Sequence, residues 1–192
     1  MKGVKRRHRF LVISVVVGLA SLVACSARAA IVEGVRFAES VHVGERRLDL
    51  QGAALLRYRV FLKAYVAAYY LAPDEEARAS GDRPRRMEIE YFWSIPAEGF
   101  AEATRDGVAR SAGAREYAAL ATRVEQLNGL YRDVEPGDRY ALTYVPGRGT
   151  ELSLNGQALG VVEGADFADA LFDIWLGPEP LDRELREALV GS

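Results

Sequence analysis

Tyr144-Val145-Pro146-Gly147-Arg148-Gly149-Thr150 leads into Asn155-Gly156, then Gly160, then Asp166-Phe167-Ala168-Asp169-Ala170-Leu171-Phe172-Asp173-Ile174-Trp175-Leu176-Gly177. Asn155-Gly156, set between Leu154 and Gln157, is the strongest short hairpin signal, because a type I′ turn needs positive φ at both central residues. Before it Tyr140, Leu142 and Tyr144 share a face at spacing two, and Leu152 and Leu154 do the same on the next strand. Phe167, Ala170, Leu171, Ile174 and Trp175 then fall on one helical face. Gly177 is the expected C′ residue and Pro178 blocks continuation. None of these pieces carries a recognisable nucleophile or metal site, so the stretch speaks to fold more than to reaction.

Upstream the periodicity changes several times. Ile31 to Phe37 has strand character, and Val43-Gly44-Glu45-Arg46 reads as a turn ahead of Leu48 and Leu50. The run from Leu55 to Leu71 is rich in aromatic and apolar residues and fits two strands or one bent strand. Asp74 to Arg85 is polar and interrupted by Gly81 and Pro84, a short helix or surface loop. Met87, Ile89, Tyr91 and Trp93 alternate with Glu88, Glu90 and Phe92, the mark of a half-buried strand. Pro96 opens a helical region with Phe100, Ala103, Gly107, Val108 and Ser111 on one face. Gly113 interrupts it, and Tyr117, Leu120, Ala121, Val124 and Leu127 line a second helix. A final short helix has Asp182 as N-cap and buries Leu185 and Leu189. Strands in blocks, apart from the helices, predict an α+β fold with a largely antiparallel sheet and helices on one face.

The first 29 residues read as a leader. Lys2, Lys5, Arg6, Arg7 and Arg9 form a basic start, and Phe10 to Ala24 an apolar run of 15 residues. That is short of the roughly 20 a transmembrane helix needs and suits a signal peptide. Two processing sites stay open. Ala27-Arg28-Ala29 is a small-x-small site that leaves a domain of residues 30–192, whereas Leu22-Val23-Ala24-Cys25 resembles a lipobox, with Cys25 lipidated and anchoring the protein to a membrane. Either way the domain is expected in the periplasm or cell envelope.

Removing the six basic leader residues from the 25 in the chain leaves 19 against 27 acidic ones, a net charge near −8. An acidic domain without a basic tract is a poor nucleic-acid binder. It also has no cysteine and a single histidine, His42, read as a surface residue in a turn. That composition gives no basis for a disulfide, the usual zinc site, or a serine hydrolase triad, and no metal or cofactor is expected. Glu88/Glu90 and Glu75/Glu76 read as solvated faces. Gly147-Arg148-Gly149 is too short for a phosphate loop and precedes a strand.

Arg57 and Arg59, followed by Lys63, enter an apolar segment, where a charge is costly unless paired or ligand-bound. Two arrangements fit. The three cations share a solvent face at spacing two, or Arg57 points inward to hold an anionic group in a cavity lined by Tyr58, Tyr65 and Tyr69.

Gln51-Gly52-Ala53-Ala54-Leu55-Leu56-Arg57-x-Arg59-x-Phe61-x-Lys63-Ala64-Tyr65-x-Ala67-Ala68-Tyr69-Tyr70-Leu71, taken with the closing Tyr-x-Pro-Gly-x-Gly-Thr, Asn-Gly, Asp-Phe and Ile-Trp-Leu-Gly elements, resembles the bacterial branch of the chalcone isomerase-like family. The resemblance covers roughly Val32 to Gly191. It implies an open-faced β-sandwich, a curved antiparallel sheet packed by helices with a ligand cleft between. It also implies one of two activities: ring closure of chalcones, or fatty-acid binding with an arginine on the carboxylate. Arg57 is the best match for that arginine. Tyr65 falls at the position of the enzymes' catalytic threonine, Phe100 at that of their tyrosine, and Gly107 at that of an active-site asparagine. Phe100 has no hydroxyl and Gly107 no side chain, and losing positioned donors commonly costs orders of magnitude in rate. The resemblance therefore implies a non-catalytic protein binding a lipophilic anion such as a fatty acid, with Arg57, Tyr58, Tyr65 and Phe100 as site residues. The alternatives are an intramolecular lyase acting on chalcone-like enones, and a structural envelope protein without a small-molecule ligand.

Overall fold

The computed structural model describes residues 29–58, 62–73 and 82–191. The leader with Cys25, Arg59, Phe61 and the Glu75/Glu76 pair lie outside the described residues, as does the side chain of Tyr58.

Ile31 to Phe37 is a hairpin and not one strand: β1 (Ala30–Val32) and β2 (Val35–Phe37) pair antiparallel across Glu33 and Gly34, both at positive φ. The remaining strands form one seven-stranded antiparallel sheet in sequence order: β3 (Ser40–Val43), β4 (Arg46–Tyr58), β5 (Leu62–Leu71), β6 (Arg85–Tyr91), β7 (Arg139–Val145), β8 (Gly149–Leu154) and β9 (Gln157–Val162). The Leu55–Leu71 run is thus two strands. His42 is exposed as expected, although it lies on β3 and not in a turn. Asn155 and Gly156 both take positive φ in the β8–β9 turn, 51° and 81°, which produces the hairpin the sequence predicts.

Helix α1 (Ala97–Asn128) is two helices joined at Gly113, whose φ of 78° and ψ of 165° break the spiral. Helix α2 (Ala165–Leu176) follows the last strand, and α3 (Arg183–Val190) is capped by Asp182 Oδ1, which accepts from the Leu185 amide at 2.8 Å. Gly177 ends α2 in an extended conformation, not the left-handed one. Its glycine is required because a Cβ would press on the Asp173 carbonyl and side chain.

Each face of the sheet buries its own apolar set. Along β5, Tyr65, Ala67 and Tyr69 join the core beneath the helices, while Val66, Ala68 and Tyr70 join a second core under the β1–β2 hairpin. This period of two is what a strand covered on both faces requires. The sandwich expected from the sequence is the fold observed.

The outer face corrects one expectation. Glu88 is not solvated: it is 7% exposed and held by Arg86 at 2.9 Å and Arg139 at 3.0 Å. Arg139 also donates to the Arg36 carbonyl and stacks 4.6 Å above Phe37, so the hairpin seals the ion pairs. Glu90 shares Arg139 at 2.6 Å.

Candidate functional site

Between the inner face of the sheet and the helices lies a cavity of about 710 Å³. Its floor is built by Met87, Ile89, Tyr91, Tyr140, Leu142 and Leu152, one residue in two along β6, β7 and β8. Helix α1 roofs it with Phe100 and Thr104, and Ile174 and Trp175 of α2 close one side. Gly99 and Ala103 of α1 also border it and contribute little side-chain volume to the lining.

Phe100 is packed by Tyr91 at 5.1 Å, Tyr140 at 5.2 Å and Tyr131 at 5.4 Å between ring centres. Edge-to-face and offset geometries of this kind fix the rings as a rigid wall. The phenols differ in their hydrogen bonds. Tyr140 accepts from the Arg132 amide and donates to the Arg132 carbonyl, both at 2.7 Å. Tyr131 and Thr104 share a bond of 2.9 Å. Trp175 Nε1 donates to the Tyr65 oxygen at 2.9 Å, and the Tyr91 hydroxyl bonds to no other described residue. Burial raises the pKa of Tyr65 and Tyr91 well above that of a free phenol and pushes Tyr131 up to about 12. All stay neutral near pH 7, so among the described residues the interior holds hydrogen-bonding hydroxyls and no ionised side chain.

Among the described residues charge is confined to the mouth, where Lys63, Asp106 and Arg110 stand beside exposed Trp93 and Leu181. Trp93 is not on β6 as the alternation predicts. The strand ends at Tyr91, and the indole swings out to donate to the Lys63 carbonyl at 2.7 Å. Lys63 is bound to Glu33 at 2.6 Å, whereas Arg110 makes no hydrogen bond or ion pair to another described residue.

Of the residues singled out by sequence, Tyr65 and Phe100 line this cavity. Arg57 does not. Its guanidinium is exposed on the outer side, 3.5 Å from Glu33 in the β1–β2 turn, and opposite Lys63 in the β4–β5 pairing. Arg57 points outward and not into the cavity because Ala53 and Leu55 pack outward and Ala54 and Leu56 inward, so alternation carries it to the outer side. Gly107 lies at a helix crossing: a Cβ would lie within 3.2 Å of three Ile174 side-chain atoms, so that position serves packing between α1 and α2. Tyr91, Tyr131, Trp175 and Arg110 were not singled out as ligand contacts. Tyr91 could have been found from its phase, two residues beyond Ile89 on the inward side of β6.

Among the described residues no cluster of three or more His, Cys, Asp or Glu side chains is disposed to hold a metal, and no helix is long and apolar enough to cross a membrane.

A curved antiparallel sheet roofed by helices thus encloses an aromatic cavity. Residues 29–191 match the chalcone isomerase-like family, and the chain belongs to it. Its structure is similar to the crystal structure of a fatty-acid binding protein of Arabidopsis thaliana, with a TM-score of 0.66 at 15% identity, covering 85% of this chain and 96% of that one. No curated protein sequence matches it significantly.

Proposed function

We propose that the protein is a non-catalytic carrier of a lipophilic anion of the fatty-acid type, with the apolar chain inside the cavity and the anionic group at its mouth. The observation that carries this is the division of polarity: a cavity of about 710 Å³ whose charged lining is confined to the rim. Its size falls within the roughly 300–1,000 Å³ typical of small-molecule sites. An ionised head buried among neutral phenols would lose its hydration without a counter-charge, whereas at the mouth it keeps water and meets Arg110. Family membership and the fatty-acid binding protein of the same fold support the reading. It favours binding over ring closure because Phe100 offers no hydroxyl and Gly107 abuts Ile174.

Titration of delipidated protein with hexadecanoic acid tests it. One-to-one binding at micromolar affinity or tighter is expected, weakened about 10-fold by Arg110→Ala and unchanged by Arg57→Ala. Absence of saturable binding, or an effect of Arg57 larger than that of Arg110, overturns it. The proposal also places the domain in the periplasm or cell envelope, on the strength of its leader. The intact mass of the exported protein distinguishes a chain starting at Ala30 from one lipidated at Cys25. Cytoplasmic protein retaining its leader contradicts export.

A further inference from the structure

The tyrosine hydroxyls deepen this reading and rest on it. Four phenols face or flank the cavity, and their bonding is unequal. Tyr140 is saturated by the Arg132 backbone and Tyr131 is joined to Thr104. The Tyr65 oxygen accepts from Trp175, which leaves its O–H without an acceptor among the described residues. Tyr91 is 6% exposed and its hydroxyl has no hydrogen-bond partner among them, yet that oxygen is not among the fully enclosed orphan atoms, which are in Tyr70, Asn128 and Thr150. The Tyr91 hydroxyl therefore opens onto the cavity that its ring lines. The Tyr65 and Tyr91 rings meet edge-on with centres 5.9 Å apart, and both line the same apolar chamber.

We propose that Tyr65 and Tyr91 form a neutral oxygen-recognition subsite, and that the ligand is an oxygenated lipid: a lipophilic anion bearing a hydroxyl or carbonyl group within its apolar portion. Filling the chamber with plain alkyl chain displaces water from two hydroxyls and leaves both unsatisfied. An oxygen placed between them accepts from Tyr65, whose O–H is strengthened by the bond it receives from Trp175, and exchanges a second bond with Tyr91. A site built to hydrogen-bond an oxygen rejects the analogue lacking it more strongly than an apolar pocket rejects an added group. The two phenols offer hydroxyl bonds without a counter-charge, which suits a neutral oxygen, and the ligand's own charge stays at the mouth beside Arg110.

The test uses the full mature protein with octadecanoic acid and its mid-chain hydroxy and keto derivatives, the oxygen stepped from the sixth to the twelfth carbon. The best-placed oxygenated acid is expected to bind at least ~10-fold tighter than octadecanoic acid. Tyr91→Phe and Tyr65→Phe should each reduce that ratio, and the double variant should bring it to about one, with octadecanoic acid gaining affinity as the unsatisfied hydroxyls are removed and the best-placed oxygenated acid losing it. The keto probe gives an independent readout, since its carbonyl stretch should shift to lower frequency on binding wild type and not on binding the double variant. Equal affinity for every derivative overturns the subsite while leaving the carrier reading standing. A preference that survives in the double variant removes the two tyrosines as its source. If no acid binds at all, both readings fall.

Discussion

The two faces of β5 are built from one stretch of chain and end in opposite states. Outward, Val66, Ala68 and Tyr70 are fully buried with Phe37 and Leu48, under a hairpin riveted by Arg139 and Glu88. Inward, Tyr65, Ala67 and Tyr69 belong to a core that leaves a large cavity and two hydroxyls with bonding capacity to spare. The outer face uses its charged groups to close itself and encloses even the Tyr70 hydroxyl, which is unpartnered among the described residues. The inner face leaves two hydroxyls open to whatever enters. Filled packing gives stability, and incomplete packing in a rigid aromatic frame gives a binding site.

The largest expected effect separates the faces directly. Phe37 is completely buried and carries Arg139 on its ring, so Phe37→Ala should cost about 3–5 kcal/mol in urea unfolding. Phe100 already borders a void, so Phe100→Ala should cost nearer 2 kcal/mol, since fewer packed atoms are lost. Lipid affinity should fall with Phe100 and not with Phe37. Equal destabilisation by the two would mean that the inner cavity is filled in solution, and the contrast would collapse.

Next comes the ionic seal. Glu88→Ala leaves Arg86 only Thr143 and leaves Arg139 Glu90 and the Arg36 carbonyl, and should cost about 2 kcal/mol. That lies below the value for a fully buried pair because both arginine side chains keep about a fifth or more of their surface in water, at 21% and 27%. Denaturation should record the loss with hexadecanoic acid affinity unaltered. A changed affinity would couple the faces and break the division of labour.

A smaller change concerns the helix crossing. Gly107→Asn restores the residue type the family resemblance implies at that position, yet its Cβ would collide with Ile174. Because Ile174 borders the cavity, its side chain can turn inward, which should limit the destabilisation to about 1–2 kcal/mol while shrinking the chamber. Weaker lipid binding without gain of chalcone ring closure is expected in a coupled binding and absorbance assay. Ring closure clearly above the spontaneous rate would show that the site is one residue away from catalysis.

These contrasts also explain what was legible in the sequence. Local rules carry the Asn155-Gly156 turn, the Gly113 break and the Asp182 cap, because each is decided within a few residues. Arg57 was not decidable that way. Both faces of β4 are apolar at Leu55 and Leu56, so a period of two marks a strand without saying which side faces the helices. The pairing also slips between Leu56 and Arg57, which brings Lys63 opposite Arg57 and offsets the phases of the two strands. Glu33, the carboxylate that settles the matter, lies 24 residues away in a hairpin read as a single strand. Glu88 was misjudged for the same reason: the cover over its face comes from β1 and β2. Tyr65 and Phe100 were reachable because the segments that carry them resemble the family's. The open hydroxyl of Tyr91 depends on which neighbours fail to bond it, and no sequence pattern records that.

The smallest expected effect is electrostatic and belongs to the helix layer. Burial, followed by the charge of Asp169, raises the pKa of the Asp173 carboxyl above its ordinary 3.8. A carboxyl raised in the folded state binds its proton more readily folded than unfolded, so it adds stability as pH falls through the raised value towards 3.8, and none near neutrality. Asp166 runs the other way. Arg123 holds it below 3.8 through paired bonds of 2.5 and 2.7 Å, so its contribution is present at neutral pH and is lost as pH drops below 3.8 through the depressed value. Asp173→Asn should therefore stabilise the protein slightly near pH 7, with the advantage over wild type shrinking on acidification and gone by about pH 4. Arg123→Met should do the opposite, lowering stability near neutrality and converging with wild type in acid. Urea midpoints taken from about pH 7 to pH 3 distinguish the two curves. Parallel curves for wild type and Asp173→Asn would mean that this carboxyl is solvated in solution, and that the helix layer opens there as the outer face does not.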